Sequence, residues 1–410
     1  MSLFNPLTLP NGTTIPNRIA KAAMEENLAT ADNLPSAQMM ALFESWARGG
    51  SGLLISGNVM IDGRAMTGPG GVVLENDKHL DVFKQWAALG KQQGAAFFLQ
   101  LNHPGRQMPA SLGQPTWAPS AVPMALGKMS KFFNPPQPMS QDKINDIIKR
   151  FVSTARLAEQ AGFDGVEIHA AHGYLINQFL SPLTNQRTDQ WGGDLVNRAR
   201  LLMEIIKQTK AAVSPSFAVA VKLNSADFQR GGFSNDDARQ VVKWLNELNI
   251  DLLELSGGSY EAPAMQGSAR DGSTLAREAF FLTFAAELKQ IASMPVMVTG
   301  GIRRLAVAQE VIEQKVDMVG IATALAICPE LPGLWQQGDD PAPQLRPVTW
   351  KNKPLASLAN MAMVKYQLRK VSKRRKAQPG VAPLWAFLTQ QIEDLRRTRS
   401  YKNKMAKLTE

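Results

Sequence analysis

Short apolar runs alternate with longer stretches of helical period along most of the chain. Eight runs read as strands: Arg18–Met24, Gly52–Val59, Ala95–Leu101, Gly165–Ala171, Ala218–Asn224, Leu252–Gly258, Pro295–Gly301 and Met318–Thr323. They are apolar on both faces, as expected of parallel strands covered by helices. Between them, segments such as 147–162 and 236–249 repeat apolar positions at helical spacing. Strand and helix repeated eight times predict an α/β protein built as a (β/α)8 TIM barrel, spanning residues 1–335. No Gly-x-Gly-x-x-Gly follows an early strand, which goes against a doubly wound dinucleotide fold.

Around the barrel, residues 1–17 carry Asn11-Gly12 between short apolar runs. They predict a hairpin that plugs the N-terminal end. The connection 102–139 is long and proline-rich, the mark of an active-site loop, although its central part (110–130) reads equally as a surface excursion. Residues 336–410 read as a mostly helical extension, with helices at 354–376 and 383–405 parted by Gln378-Pro379-Gly380. Leu355, Leu358, Met361, Met363 and Leu368, then Leu384, Phe387, Leu388, Ile392 and Leu395, are expected to pack on the barrel.

The net charge of +10 over 410 residues suggests an anionic polymer as partner until it is located. Residues 348–410 hold 15 Lys and Arg against 3 Asp and Glu, and the remainder holds 30 against 32. The barrel is thus near neutral, and no nucleic acid is expected as substrate. The run 373–376 (KRRK) reads most simply as a solvated helix end, with an anionic membrane surface or nucleic acid as the sharper alternative. One cysteine, Cys328, excludes an intrachain disulfide framework and a cluster held by four cysteines of this chain. No signal peptide and no membrane-spanning run is evident, so a cytoplasmic protein is expected.

Chemistry concentrates after the fourth strand. His169, His172 and Tyr174 follow the apolar Val166 and Ile168 within six residues, where a barrel presents its reactive groups at the C-terminal rim. A His-x-x-His zinc site lacks further ligands nearby, so no metal is expected. Buried structural histidines are the plainer alternative. Strands seven and eight end in Thr299-Gly300-Gly301 and Gly320-Ile321-Ala322-Thr323. Glycines there let backbone N–H groups approach a phosphate, although a Gly-Gly pair alone can be only a turn. Lys222 lies among apolar neighbours, and a buried lysine needs an anionic partner.

Several motifs resemble, in order, those of the old yellow enzyme family: Pro16-Asn17-Arg18, Arg48-Gly49-Gly50, Gln100 through Arg106, the His169–Arg198 stretch, and Gly300-Gly301. The resemblance covers about residues 1–335. It implies non-covalent FMN, reduced by NADH or NADPH and reoxidised by an activated alkene. It further implies that Ala23, Met24, Glu25, Gly57, Gln100, Lys222, Gly300, Gly301, Ala322 and Thr323 bind the cofactor. Gln100 would meet the flavin pyrimidine edge, and Lys222 would lie beside N1. His169 and His172 would grip the acceptor's carbonyl or nitro oxygen, and Tyr174 would protonate the α-carbon. Asn185, Arg187, Asp189, Trp191 and Arg198 read as scaffold, and His103 and Arg106 as supporting groups.

This chain departs from the family pattern in three ways. Glu25 stands where relatives carry Thr or Cys. Ionised and near the flavin it would lower the potential, whereas pointing at Lys222 or solvent it would not. The strand-eight Gly-x-Gly-Arg is replaced by Gly320-Ile321-Ala322-Thr323, which leaves Arg303 or Arg304 as compensating phosphate contacts. Cysteines for an iron–sulfur cluster are absent, so electrons should come directly from a nicotinamide. Two other functions stay open on this reading: a flavin-dependent oxidase or demethylase, and a flavin-poor scaffold acting through the basic tail. The oligomeric state is not legible.

Overall fold

The computed structural model describes residues 2–263, 279 and 281–409. Eight parallel strands close on themselves: β1 (Ile19–Lys21), β2 (Leu53–Ile55), β3 (Ala96–Asn102), β4 (Gly165–Ala170), β5 (Ala218–Asn224), β6 (Leu252–Ser256), β7 (Val296–Thr299) and β8 (Met318–Ile321). Each pairs with the next, and β8 returns to β1 through Val319–Ile19 and Ile321–Lys21. Seven strands lie inside their predicted ranges, and β3 runs one residue past its own. Helices α1 (Ala37–Arg48), α2 (Leu80–Gly90), α3 (Gln141–Gln160), α4 (Leu195–Ala212), α5 (Asn235–Glu247), α6 (Leu282–Lys289) and α7 (Leu305–Glu313) surround the strands. Ser36, Ser140 and Ser234 cap α1, α3 and α5 by accepting a backbone N–H in the first turn.

The register sorts the barrel lumen into layers. Alternate residues of each strand face inward. Near the N-terminal ends these are Ala20, Leu53, Ala96, Phe98, Ala218, Leu252, Met297 and Met318, packed into one apolar cluster with Leu7, Leu9 and Ile15. The last three come from the predicted hairpin, Leu7–Thr8 against Thr14–Ile15, so the plug is real. One or two steps further along the strands the inward positions become Gln100, Glu167, Lys222, Glu254 and Thr299, with Gln100 opposite Glu167 and Lys222 opposite Glu254 in the register. The lumen therefore changes from apolar to charged halfway up.

Beyond β8 come two short helices, α8 (Thr323–Ile327) and α9 (Leu331–Gln337). The tail follows as α10 (Lys353–Val371) and α11 (Pro383–Thr409). Residues 373–376 are exposed after the end of α10.

On α10, Met363 and Leu368 are buried as expected, but the packing face of α11 differs from the expected one. Leu384, Leu388, Ile392 and Leu395 are 48–72% exposed, Leu355 is at the surface, and Phe387 is half-buried. Ala386, Gln390, Tyr401 and Met405 are buried instead. The polar reach of α11 fixes this orientation. Arg397 Nη1 donates to Ala29 O (2.8 Å), Tyr401 Oη to Gly63 O (2.9 Å), and Lys404 Nζ to Asp32 O (2.9 Å). These carbonyls belong to the loops after β1 and β2, so the tail clamps the C-terminal rim. Among the described residues no helix is long and apolar enough to cross a membrane.

Tyr401 is buried among Met60, Met66, Met108 and Leu112. Replacing it with alanine should destabilise the protein by about 3–5 kcal/mol, and replacing it with phenylalanine by about 1 kcal/mol. Urea titration followed by circular dichroism and tryptophan fluorescence should give one shared transition in both variants. Separate transitions would mean that residues 336–410 fold independently of the barrel.

Candidate active site

His169 is the last inward residue of β4 before the chain turns at Ala171. Its Nδ1 accepts the backbone N–H of Ala171 (3.2 Å), which leaves the ring proton on Nε2. His172 has φ +61°, a left-handed conformation that turns its ring back over the barrel mouth. That turn is held by Asn224 Oδ1, which accepts the His172 backbone N–H (3.0 Å). The ring contacts Ser256 Oγ at 2.8 Å. The two imidazoles meet edge to face at 5.1 Å, and His169 meets Tyr174 at 4.9 Å. Burial drives both histidines well below their ordinary pKa, reinforced by the Lys222 charge, so both rings are neutral.

The Tyr174 hydroxyl lies 2.9 Å from the Tyr260 hydroxyl and accepts from Asn58 Nδ2 at 3.5 Å. Burial and the nearby Glu25 charge push both phenols above their ordinary range. They stay protonated and able to donate. Tyr260 is therefore part of this constellation. Residues 264–278, which follow Tyr260 in the connection after β6, lie outside the described residues.

Beneath these groups sits the charged layer. Lys222 Nζ donates to Glu254 Oε1 at 2.6 Å, and Thr299 Oγ1 donates to the same oxygen at 2.6 Å. Gln100 Nε2 donates to Glu167 Oε2 at 2.6 Å. All five side chains are buried or nearly so. Gly320 makes room for Thr299, since a Cβ there would come 2.0 Å from its hydroxyl. The anion that Lys222 requires is thus Glu254, which the sequence reading did not single out, and neither did it single out Glu167. The available signal was an acidic residue inside an otherwise apolar parallel strand, twice.

Glu25 does not point at Lys222, and its side chain keeps only 24% exposure. Its carboxylate accepts from Thr67 Oγ1 (2.6 Å) and from Lys365 Nζ (3.1 Å), a residue of α10. Burial pushes its pKa up, but Lys365 and Thr67 outweigh this and hold it below the usual value. Gly57 packs against the same loop: its N–H goes to Glu26 (3.1 Å), and a Cβ would strike Met24 O at 1.9 Å. Lys21, on the outer face of β1, is paired with Glu26 at 2.9 Å under the rings of Phe43 and Trp46.

The expected scaffold residues hold the loop after β4. Arg187 pairs with Asp189 and donates to Met139 O (2.7 Å), Asn185 spans Phe179 O and Trp191 O, and Arg198 donates to Leu180 O (2.5 Å). His103 is buried, with its pKa lowered to about 4 by desolvation, and Arg106 is ion-paired with Glu261.

The residues present fit a flavin mononucleotide. Buried polar atoms of Asn58, Asn102 and Ser225, at the C-terminal ends of β2, β3 and β5, have no partner among the described residues. Such orphans call for a polar ligand over the barrel mouth. Gly300 (φ +148°) and Gly301 (φ +74°) continue from β7, beside Ala322 and Thr323 after β8. Successive N–H groups in such a turn form an anion-binding nest suited to the phosphate. Arg303 Nη1 lies on Ala342 O (3.3 Å).

The profile of the NADH:flavin oxidoreductase / NADH oxidase family matches residues 2–339. The chain belongs to this family. It is 35% identical over 359 residues to an NADH-dependent flavin oxidoreductase of Talaromyces variabilis, covering 81% of this chain and 86% of that protein. Identity to an NADH-dependent flavin oxidoreductase of a Neonectria species is 36%, over 80% of this chain. There the match spans only 46% of the longer relative. The structure of the old yellow enzyme homologue from Zymomonas mobilis superposes with a TM-score of 0.71 at 26% identity, covering 85% of this chain and 95% of that one. The old yellow enzyme resemblance read from the motifs holds. The protein is an oxidoreductase of this flavin-dependent type, with FMN as cofactor and NADH or NADPH as reductant.

The Glu25–Lys365 pair gives a stability prediction. A carboxylate whose pKa is lowered on folding from 4.5 adds stability above that value, which is lost as pH falls through the lower, folded one. Lys365→Met should therefore destabilise the protein by about 1–3 kcal/mol at neutral pH and by progressively less as pH falls below 4.5. Thermal melts of both proteins across that range should converge on acidification.

Proposed function

We propose that this enzyme transfers hydride from NADH or NADPH, through FMN, to the β-carbon of an activated alkene of the enone or enal type. The observation that supports this reading is the contact trio of His169, His172 and Tyr174 at the end of β4, with both imidazoles neutral. A neutral imidazole donates a hydrogen bond without placing a full positive charge in the pocket. Two such donors on one carbonyl oxygen withdraw density from the conjugated C=C and stabilise the negative charge that grows as hydride arrives. Tyr174, protonated and held by Tyr260 and Asn58, would give its proton to the α-carbon. A phenol of raised pKa is a poor acid toward the resting substrate and a competent one toward the enolate.

FMN supplies the hydride relay between two reactants that need not meet. Gln100, Lys222, Gly300, Gly301, Ala322 and Thr323 would hold it, with Ala23, Met24, Glu25 and Gly57 forming the wall after β1 and β2. Glu25 is the residue of this wall most able to alter the flavin, and Glu25→Thr should raise its potential. Lys365 offsets part of that effect. The inward use of Lys365, Arg397 and Lys404 favours catalysis over a scaffold role for the basic tail. A cytoplasmic location accords with this chemistry.

Under anaerobic conditions the flavin band should bleach with NADH or NADPH and return on adding cyclohexenone. Tyr174→Phe should leave the bleaching step near its normal rate and slow the return by about 10²–10⁴-fold. A normal return in Tyr174→Phe would remove Tyr174 as donor and point to Tyr260. Bleaching without any return would discard the alkene while keeping the flavoenzyme.

A further inference from the structure

Glu254 and Glu167 are buried, within hydrogen-bonding reach of one another, and each leaves one carboxyl oxygen without a hydrogen-bond donor among the described residues. Two facing carboxyl oxygens in a dry barrel cannot both be anionic, and one proton between them satisfies both orphans. Their surroundings divide the labour. Glu254 has Lys222 and Thr299 on one oxygen, whereas Glu167 has only the neutral Gln100 amide. Glu167 therefore carries the proton and Glu254 the charge. Burial and the Glu254 charge push Glu167 upward, while Lys222 holds Glu254 down against burial.

The charge balance of the barrel follows. Lys222 is neutralised by Glu254 and Lys21 by Glu26, and His169 and His172 are neutral. With Glu167 protonated, the ionisable groups of this lumen layer on β4, β5 and β6 sum to zero, and the Lys21–Glu26 pair behind β1 adds no net charge. The lysine beside the flavin is thus already compensated. When hydride leaves the nicotinamide carbon and enters the flavin, two electrons and one proton arrive together, and the site gains one negative charge. An uncompensated charge in this layer is costly.

We propose that Glu254, paired with Lys222 and bridged to Glu167, takes up one proton from solvent each time the flavin is reduced and releases it on reoxidation. Lys222 is then freed from the carboxylate and turns its full charge to the reduced flavin. Glu254 is a charge-compensating residue that need not touch the cofactor. This inference rests on the FMN reading and goes beyond it.

The test is the midpoint potential of the FMN-loaded protein, set electrochemically with no nicotinamide or alkene present. It is measured between about pH 7 and 9, above the range of ordinary carboxylates. Two electrons with two protons give a slope of about 59 mV per pH unit, and two electrons with one proton about 30 mV. The expected wild-type slope is the larger one. Redox-difference infrared spectra should show a protonated-carboxyl band that appears on reduction. In Glu254→Gln the slope should fall to the smaller value and the band should vanish. A wild-type slope of about 30 mV with no carboxyl band overturns the proposal and leaves the FMN assignment intact. So does a band that persists in Glu254→Gln. Should that variant fail to fold, the two wild-type measurements decide by themselves.

Discussion

A cation inside a parallel barrel is the constraint around which this site is built. Lys222 has nowhere to put its ammonium except the lumen, because strand alternation sends its neighbours Val221 and Leu223 to the helices. Water is excluded there by the hairpin plug and the apolar layer above it. A single lysine in such a place needs an acid at the same height on a neighbouring strand, and the β5–β6 register puts Glu254 opposite it. Thr299 then shares the carboxylate from β7, and Gly320 on β8 must lack a side chain for Thr299 to do so. One buried charge thereby dictates residues on four consecutive strands.

The same alternation explains what was legible in the sequence and what was not. Eight apolar runs, a hairpin signal and a strand ending in His-x-x-His-Gly-Tyr depend only on local pattern, and each appears where expected. That Lys222 needs an anion was also readable, from its apolar neighbours. Which anion was not, because Glu254 faces Lys222 only once the register between β5 and β6 is set. Glu167 was concealed in the same way inside Gly165–Ala170.

The tail was harder still. Lys365 and Glu25 lie 340 residues apart, and no local signal links them. The apolar stripe from Leu384 to Leu395 suggested a buried face, yet α11 docks by another. Small Ala386 allows close approach, and Arg397, Tyr401 and Lys404 find carbonyls on the rim loops. Specific polar reach overrode hydrophobic pattern on a helix whose apolar stripe lasts only about three turns.

The two ion pairs at the site are not equivalent in strength. Glu25 and Lys365 retain 24% and 16% side-chain exposure, whereas Lys222 and Glu254 retain 3% and 0%. Coulomb energy scales inversely with the local dielectric, which falls several-fold from a wet rim to a dry lumen. A unit charge at Glu25 is answered by a lysine at 3.1 Å and partly by water, so its field at the barrel mouth is weakened, although it still reaches the two phenols. A change of charge at Glu254 meets no such screening. The substitution of Glu for a small residue at position 25 is therefore the more conspicuous departure in the sequence and the weaker one in energy. The balance within the lumen is what governs how readily the site accepts electrons.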